Sequence, residues 1–497
     1  NGMTTTSGAP LSLGLEWRSS IMANSARDPY WQASVRRETI DHPSAAAEIE
    51  DECSVCHMPM SRTQAMAAGR KGQVFAHLPV GGVATQEARL AADGVSCTLC
   101  HQVTKDRFGT RESFTGGYVI DTTAPFDARP VYGPFAVDAG RMRVMHSSSA
   151  FVPTESAHVR QSELCATCHT LYTKALGPDG AVVGELPEQV PFLEWQHSAY
   201  KNEQSCQSCH MPVVKEKTRI ASVVGEERDG MARHSFLGGN VFMLRMLNRF
   251  RTELGVEALP QELEASARAT VQHLQTESAT LSIDRVENAG DRLTIDVTAR
   301  NLSGHKLPTG YPSRRAWIHL TVRDRNGRAV FESGAVQLNG AIDGNDNDAD
   351  PLRAEPHYRE ITDPGQVQIY ESIMADRRGA VTTGLLHAVA YLKDNRLLPR
   401  GFDKATAVRD IAVVGDASQD ADFTGDGDRT RYVVATGAAE GPFRVEAALR
   451  FQPIGFRWAH NLETYKAPEP ERFVRYFTDM ASASAETLAS ATLAGVK

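Results

Sequence analysis

The chain has 497 residues, 41% of them hydrophobic and 23% charged, with a formal net charge of −8. That length predicts two or three domains rather than one core, and the acid excess argues against nucleic acid as a partner. No apolar run approaches the length of a membrane span, so no transmembrane segment is expected.

The sequence opens at Asn1 without a charged-then-apolar leader. Residues 28–40 carry the first helical pattern. Just beyond it, residues 49–60 read IEDECSVCHMPM, in which two cysteines lie three apart and a histidine follows the second. The same CxxCH spacing recurs three times. The pairs are Cys53 with Cys56, Cys97 with Cys100, Cys165 with Cys168 and Cys206 with Cys209, followed by His57, His101, His169 and His210, and together they use all 8 cysteines.

On a helical turn, residues i, i+3 and i+4 share one face. Two thiols so placed can bond the two vinyl groups of a haem while the next histidine ligates its iron. A zinc site needs only four ligands and no histidine after each pair. A redox disulfide accounts for one CxxC, not for four with identical tails. The reading is therefore four covalently attached haem c groups, with the eight cysteines as attachment points and the four histidines as proximal iron ligands.

Each iron has a second face. A second histidine there makes a low-spin, low-potential carrier, methionine raises the potential, and an empty position admits substrate. Outside the motifs the first half holds His42, His77, His146, His158, His197 and His234, more than four irons require. His146 and His158 lie just upstream of the third motif. His234 stands near Gly238 and Gly239, where backbone can approach a flat ring, and His77 has similar Gly/Pro punctuation. These four are the distal candidates; His42 and His197 read as structural. Met58, Met60 and Met211 read as adaptable apolar packing against neighbouring rings.

Helical patterns continue around each CxxCH, at 240–253, and at 257–275, where Leu259, Leu263, Val271 and Leu274 keep helical spacing. From about residue 278 the texture alternates: LTIDVTA (293–299), AWIHLTV (316–322) and FRVEAALRF (443–451), with turn signals NAGD (288–291) and RNGR (325–328). In the last stretch Phe443, Val445, Ala447, Leu449 and Phe451 share one strand face. This pattern predicts a β-sandwich of immunoglobulin or fibronectin type with long insertions. Residues 469–494 read as helix, with Phe473, Phe477 and Met480 as an apolar stripe and Ala-rich turns after it. The expected organisation is a mainly α, irregular tetrahaem domain at 1–255, a connecting helix at 256–277, a β-sandwich-like domain at 278–467 and a C-terminal helix at 468–497.

In the second half, the loop GHKLPTGYPSRR (304–315) places His305 between turns, either as a further distal ligand or as a loop pin, the latter preferred. DGNDNDAD (343–350) and DADFTGDGD (420–428) resemble calcium loops. The second offers Asp420, Asp422, Thr424, Asp426 and Asp428, but both lack the terminal glutamate and read better as solvated acidic turns. No P-loop, GxSxG or HExxH motif is present.

With its four CxxCH sites, its CHMP stretches at 56–59 and 209–212 and LCATCHTL at 164–171, the first half resembles the multihaem c-type cytochromes, in the tetrahaem branch that includes electron acceptors of hydroxylamine oxidoreductase. The resemblance implies closely stacked haems, electron transfer between a protein donor and acceptor, export to the periplasm or cell exterior with removal of a leader, and in some members one haem without a protein sixth ligand. The β-rich half resembles the extra domain of larger exported cytochromes beginning at a GHKLPTG-type loop. The expected function is multi-step electron transfer, with the β-rich domain docking a partner or building a homo-oligomer or filament. The alternative is a multihaem oxidoreductase acting on a small nitrogen or sulfur compound at an open haem.

Overall fold

The computed structural model describes residues 4–8, 11–82, 84–221 and 224–496. The chain forms two compact units: Asn1–Leu171 with Gln204–Thr270, and Tyr172–Glu203 with Val271–Lys497.

The first unit is built of short helices and loops. The pattern at 28–40 becomes the helix Pro29–Asp41. Asp28 starts it, its carboxylate accepting the Tyr30 and Trp31 N–H groups at 2.8 and 3.1 Å, and Pro29 occupies the first turn where no N–H is needed. The pattern at 240–253 becomes Val241–Arg249, whose Phe242, Met243, Met246 and Leu247 are fully buried. Elsewhere this unit has little core of its own. From residue 115 to residue 152 no side chain is buried, and the helix Ala139–Ser149 contributes none. A stretch of that length with nothing interred needs another source of apolar contact to repay its ordering entropy.

A long helix, Pro260–Glu277, begins in the first unit and ends in the second, where strands follow. Arg292–Asn301, Arg315–Arg323 and Phe443–Gln452 lie where alternation predicted strands. The NAGD and RNGR signals turn the hairpins Ala279–Asn288/Arg292–Asn301 and Arg315–Arg323/Ala329–Ser333. One sheet runs Ala329–Ser333, Arg315–Arg323, Phe443–Gln452, Glu486–Val496, with Ile369–Tyr370 added on Arg315–Arg323; a second runs Glu360–Ile361, Asp428–Ala435, Arg292–Asn301, Ala279–Asn288. Phe331 of the first sheet meets Tyr432 of the second edge-on at 6.2 Å, so their inner faces share a core. Phe443, Val445, Ala447, Leu449 and Phe451 are all buried, as period two requires; each full-sized apolar side chain so buried contributes about 1.5–3 kcal/mol.

Two differences from the sequence reading stand out. The segment Tyr172–Glu203 belongs to the β-rich unit. It carries most of the hairpin Leu171–Leu176/Val182–Gln189, turned by GPDG, and the helix Pro191–Gln196. At the C-terminus the helix Pro468–Met480 forms and buries Phe473, Phe477 and Met480, but the expected helix to 497 does not continue. Glu486–Val496 is a strand paired antiparallel with Phe443–Gln452. The Ala-rich composition favours helix locally. Here the open edge of a sheet supplies backbone partners and tertiary pairing overrides propensity.

The GHKLPTG loop is anchored within this unit by buried charge. Lys306, fully buried, reaches Asp394 at 2.7 Å, and Arg396 grips the same carboxylate at 2.8 and 2.7 Å. Glu194 accepts the Lys306 N–H at 3.1 Å and the Thr309 hydroxyl at 2.6 Å. Burial raises the cost of ionising Asp394, but Arg396 and Lys306 outweigh it and hold the carboxyl far below the usual range.

Candidate haem-attachment site

The four CxxCH motifs all lie in the first unit and all are helical. They end the helix Ala46–His57, form Cys97–Cys100 with His101 as its cap, end Ser162–His169 and form Cys206–His210. Cysteine is among the most buried residue types. Here Cys97 is exposed and the other seven are half-buried, and no disulfide joins any of them. Cys209, expected as an attachment point, has its thiol engaged with a neighbour on the exposed side of its turn, donating to Gln204 Oε1 at 3.1 Å. A thiol is a weak donor, and a thioether link replaces that same hydrogen, so the contact with Gln204 is one that attachment gives up at little cost.

The imidazoles are pre-set. His57 donates Nδ1–H to the Ser25 carbonyl at 3.1 Å, and the Ser25 hydroxyl donates to the His57 carbonyl at 2.8 Å. Trp31 lies flat against the ring at 4.4 Å and 3°. Burial pushes His57 down to about 4, opposed by the Ser25 carbonyl and reinforced by His169, so it is neutral at pH 7. His101 donates Nδ1–H to the Tyr132 carbonyl at 2.5 Å, and His210 donates to the Leu237 carbonyl. A carbonyl only accepts, so in these three rings the proton sits on Nδ1, and in His57 and His101 the Nε2 lone pair is left for a metal. His169 ends its helix with an exposed side chain. Paired thiols and Nε2-presenting histidines on single helical turns fit covalent haem in donor chemistry and spacing.

The distal candidates separate. His234 sits on a segment pinned to the fourth motif: Arg233 N–H donates to the Pro212 carbonyl at 3.0 Å and Leu237 N–H to the His210 carbonyl at 2.9 Å. Its ring lies 6.3 Å from that of His101, 16° from parallel. Its Nδ1–H donates to the Ala232 carbonyl at 3.1 Å, again leaving Nε2 open. Burial, then His101, lower its pKa. His77 is buried in the turn Phe75–His77, and burial lowers its pKa too, against Glu87 and Glu50. His146 directs Nε2 to the Asp127 carbonyl at 2.6 Å. His158 is engaged at both nitrogens, Nε2 on the Val103 carbonyl at 2.8 Å and Nδ1 on the Ser156 hydroxyl at 2.5 Å. In the second unit His305 Nδ1 meets the Lys306 carbonyl at 2.9 Å, and His197 Nε2 the Asp403 carbonyl at 2.9 Å. His42 is buried at the end of Pro29–Asp41. A cavity of about 550 Å³ opens beyond the second motif, lined by Lys105, Asp106, Tyr132, Ser156 and His158 among others, with no attachment cysteine in its wall.

The acidic loops of the second unit do not converge on one point. Asp422 of DADFTGDGD pairs outward with Arg429, whereas Asp420 and Asp428 turn inward to His357, the three donor atoms lying within 4.8 Å of one another. The tautomer decides what this cluster does. The Gln368 and Asn395 amide nitrogens lie 2.9 and 3.1 Å from His357 Nδ1. Neither amide can flip. Gln368 accepts the Tyr358 N–H at 2.8 Å; Asn395 accepts the Glu371 N–H at 3.0 Å and donates to the Ile369 carbonyl at 2.8 Å. Both therefore donate to Nδ1, and the proton is on Nε2, pointing at Asp420 at 3.2 Å. A metal-ligating imidazole needs the opposite arrangement. The cluster is a buried hydrogen-bond node.

Ser25 and Trp31, which hold the His57 ring, went unnoticed in the sequence. Only the helical pattern at 28–40 hinted at Trp31, and nothing local marked Ser25.

Scans of the sequence against protein-family models and against curated proteins find no match. Among solved structures, the chain is similar to a penta-heme cytochrome c552 from Thermochromatium tepidum, with a TM-score of 0.51 and 15% identity over 97% of this chain and 95% of that one. The chain shares that protein's fold.

Proposed function

We propose that the chain is an extracytoplasmic c-type cytochrome carrying four haems and passing electrons between redox partner proteins. The observation that carries this reading is the fourfold CxxCH on helical turns, with His57, His101 and His210 each held through Nδ1 by a backbone carbonyl. Cys53 with Cys56, Cys97 with Cys100, Cys165 with Cys168 and Cys206 with Cys209 would hold the groups, with His57, His101, His169 and His210 on the irons. Bound haem supplies reversible one-electron redox chemistry. The chain's own residues orient the imidazoles of His57, His101 and His210 and bring the attachment points together.

His101 and His234 would hold the second haem between them in this reading, their rings 6.3 Å apart and 16° from parallel with Nδ1 of each spent on a backbone carbonyl. His77 remains a ligand of another iron. His146 and His158, whose nitrogens hold backbone carbonyls, and His305, which pins its loop, take structural roles. The fold relative is titled a five-haem protein, whereas the 8 cysteines of this sequence provide for four. The β-rich unit docks a partner or a second copy.

Intact-mass measurement of the exported protein tests this. Four haem additions that survive acidified acetone, with electrons passing from the reduced protein to a soluble acceptor, are expected. Fewer than four additions, or pigment released by the acid, overturns the reading.

A further inference from the structure

The third attachment helix, Ser162–His169, lies where the other motifs converge. The second motif reaches it through His158, in the turn Ala157–Arg160 just before this helix, whose Nε2 meets the Val103 carbonyl at 2.8 Å. Backbone and side-chain hydrogen bonds tie in the other two motifs. On one side, Gly116 N–H donates to the Thr167 carbonyl at 2.7 Å and Thr115 N–H to the Thr170 carbonyl at 2.8 Å. The same loop reaches the first motif through the Tyr118 hydroxyl, which donates to the Val55 carbonyl at 3.0 Å. On the other side, Cys206 N–H donates to Ser162 Oγ at 3.1 Å and the Gln207 amide to the Gln161 carbonyl at 2.6 Å.

Gly116 is where the first and third motifs are spaced. Its φ of +74° is left-handed, a conformation glycine adopts at no steric cost. A Cβ built there would lie 2.5 Å from Val55 Cγ1 and 2.7 Å from Cγ2. One backbone residue is thus hydrogen-bonded to CATCH and packed directly on CSVCH, with no room for a side chain between them.

We infer that the third motif is the junction of the cofactor pack, its haem adjoining those of the other three motifs, and that Gly116 is the positioning residue that sets its distance from the first. This rests on the proposed four-haem reading. Haems in such contact sense one another's charge through a low-dielectric interior, so their redox steps are coupled.

The experiment is a spectroelectrochemical titration of the full haem-loaded chain, in wild type, His169→Met and His57→Met. Methionine raises the potential of the haem it ligates. The His169→Met variant is expected to move its own step upward and displace the other three. His57→Met is expected to move its own step and displace one other. If His169→Met moves a single step, or if His57→Met displaces as many as His169→Met, the junction is wrong. Should His169→Met fail to load, Gly116→Ala decides. It is expected to shift the two steps of the first and third motifs more than those of the second and fourth. Unchanged steps in Gly116→Ala, or an equal shift of all four, would refute the inference. A failure of the four-haem reading is distinct: it shows as missing haem mass in wild type before any titration.

Discussion

Removing the His234 imidazole gives the sharpest test of the axial assignment. In His234→Ala the ring 6.3 Å from His101 is gone, and the other nearby candidate is committed, since His158 Nε2 is already held by the Val103 carbonyl at 2.8 Å. The second iron then keeps one protein ligand. With four attachment motifs in the chain, one iron in four changes state. Electron paramagnetic resonance of the oxidised protein should show a quarter of the ferric signal converting from low to high spin. Cyanide or carbon monoxide should then bind at one site per chain. His158→Phe serves as the control. It should leave the spectrum unchanged while costing about 1–3 kcal/mol of stability, because the buried Val103 carbonyl loses its donor. A His234→Ala protein with no more high-spin signal than wild type refutes the pairing. So does a His158→Phe protein that gains the high-spin signal in its place. A high-spin signal in wild type that nitrite or hydroxylamine perturbs would favour the oxidoreductase alternative.

Three further outcomes are expected. Lys306→Met leaves Asp394 to Arg396 alone in a fully buried site and should destabilise the second unit by about 3 kcal/mol in urea unfolding; a loss below about 1 kcal/mol would mean that water reaches the pair. Because the folded pKa of Asp394 is depressed, its contribution is complete above the unfolded value of about 3.9 and fades as pH falls below it, so the urea midpoint should drop on acidification and Asp394→Asn should flatten that slope. Millimolar zinc or calcium should leave the melting temperature of the second unit unchanged, since His357 Nε2 keeps its proton; a rise worth about 2.7 kcal/mol, that of a ligand at a hundredfold its Kd, would overturn that tautomer.

The β-rich half was legible because burial there follows a period the sequence prints. Phe443 through Phe451 alternate in the chain and alternate between core and surface in the fold. The helices at 28–40 and 240–253 were legible for a similar reason, through a capping aspartate and a buried apolar face. The strand Glu486–Val496 was not. Alanine, threonine and serine there are compatible with either state, and the deciding term is a sheet edge more than thirty residues away in sequence.

The attachment motifs were legible as chemistry but not as a pack. CxxCH is a local signal, carried by three positions of one helical turn. Which motifs meet depends on contacts such as Gly116 with Thr167 and Ser162 with Cys206, spread over some forty to fifty residues and bearing no mark in composition. The same distinction sorts the histidines. His158 and His234 look alike in sequence, each beside small or polar residues. In the fold one has spent both nitrogens on Val103 and Ser156, and the other has spent only Nδ1. An iron can compete for a lone pair that is already turned outward far more readily than for one tied to a buried carbonyl, because displacing the latter leaves that carbonyl unsatisfied. The number of uncommitted nitrogens, and not the number of histidines, therefore limits how many of the four irons can be six-coordinate.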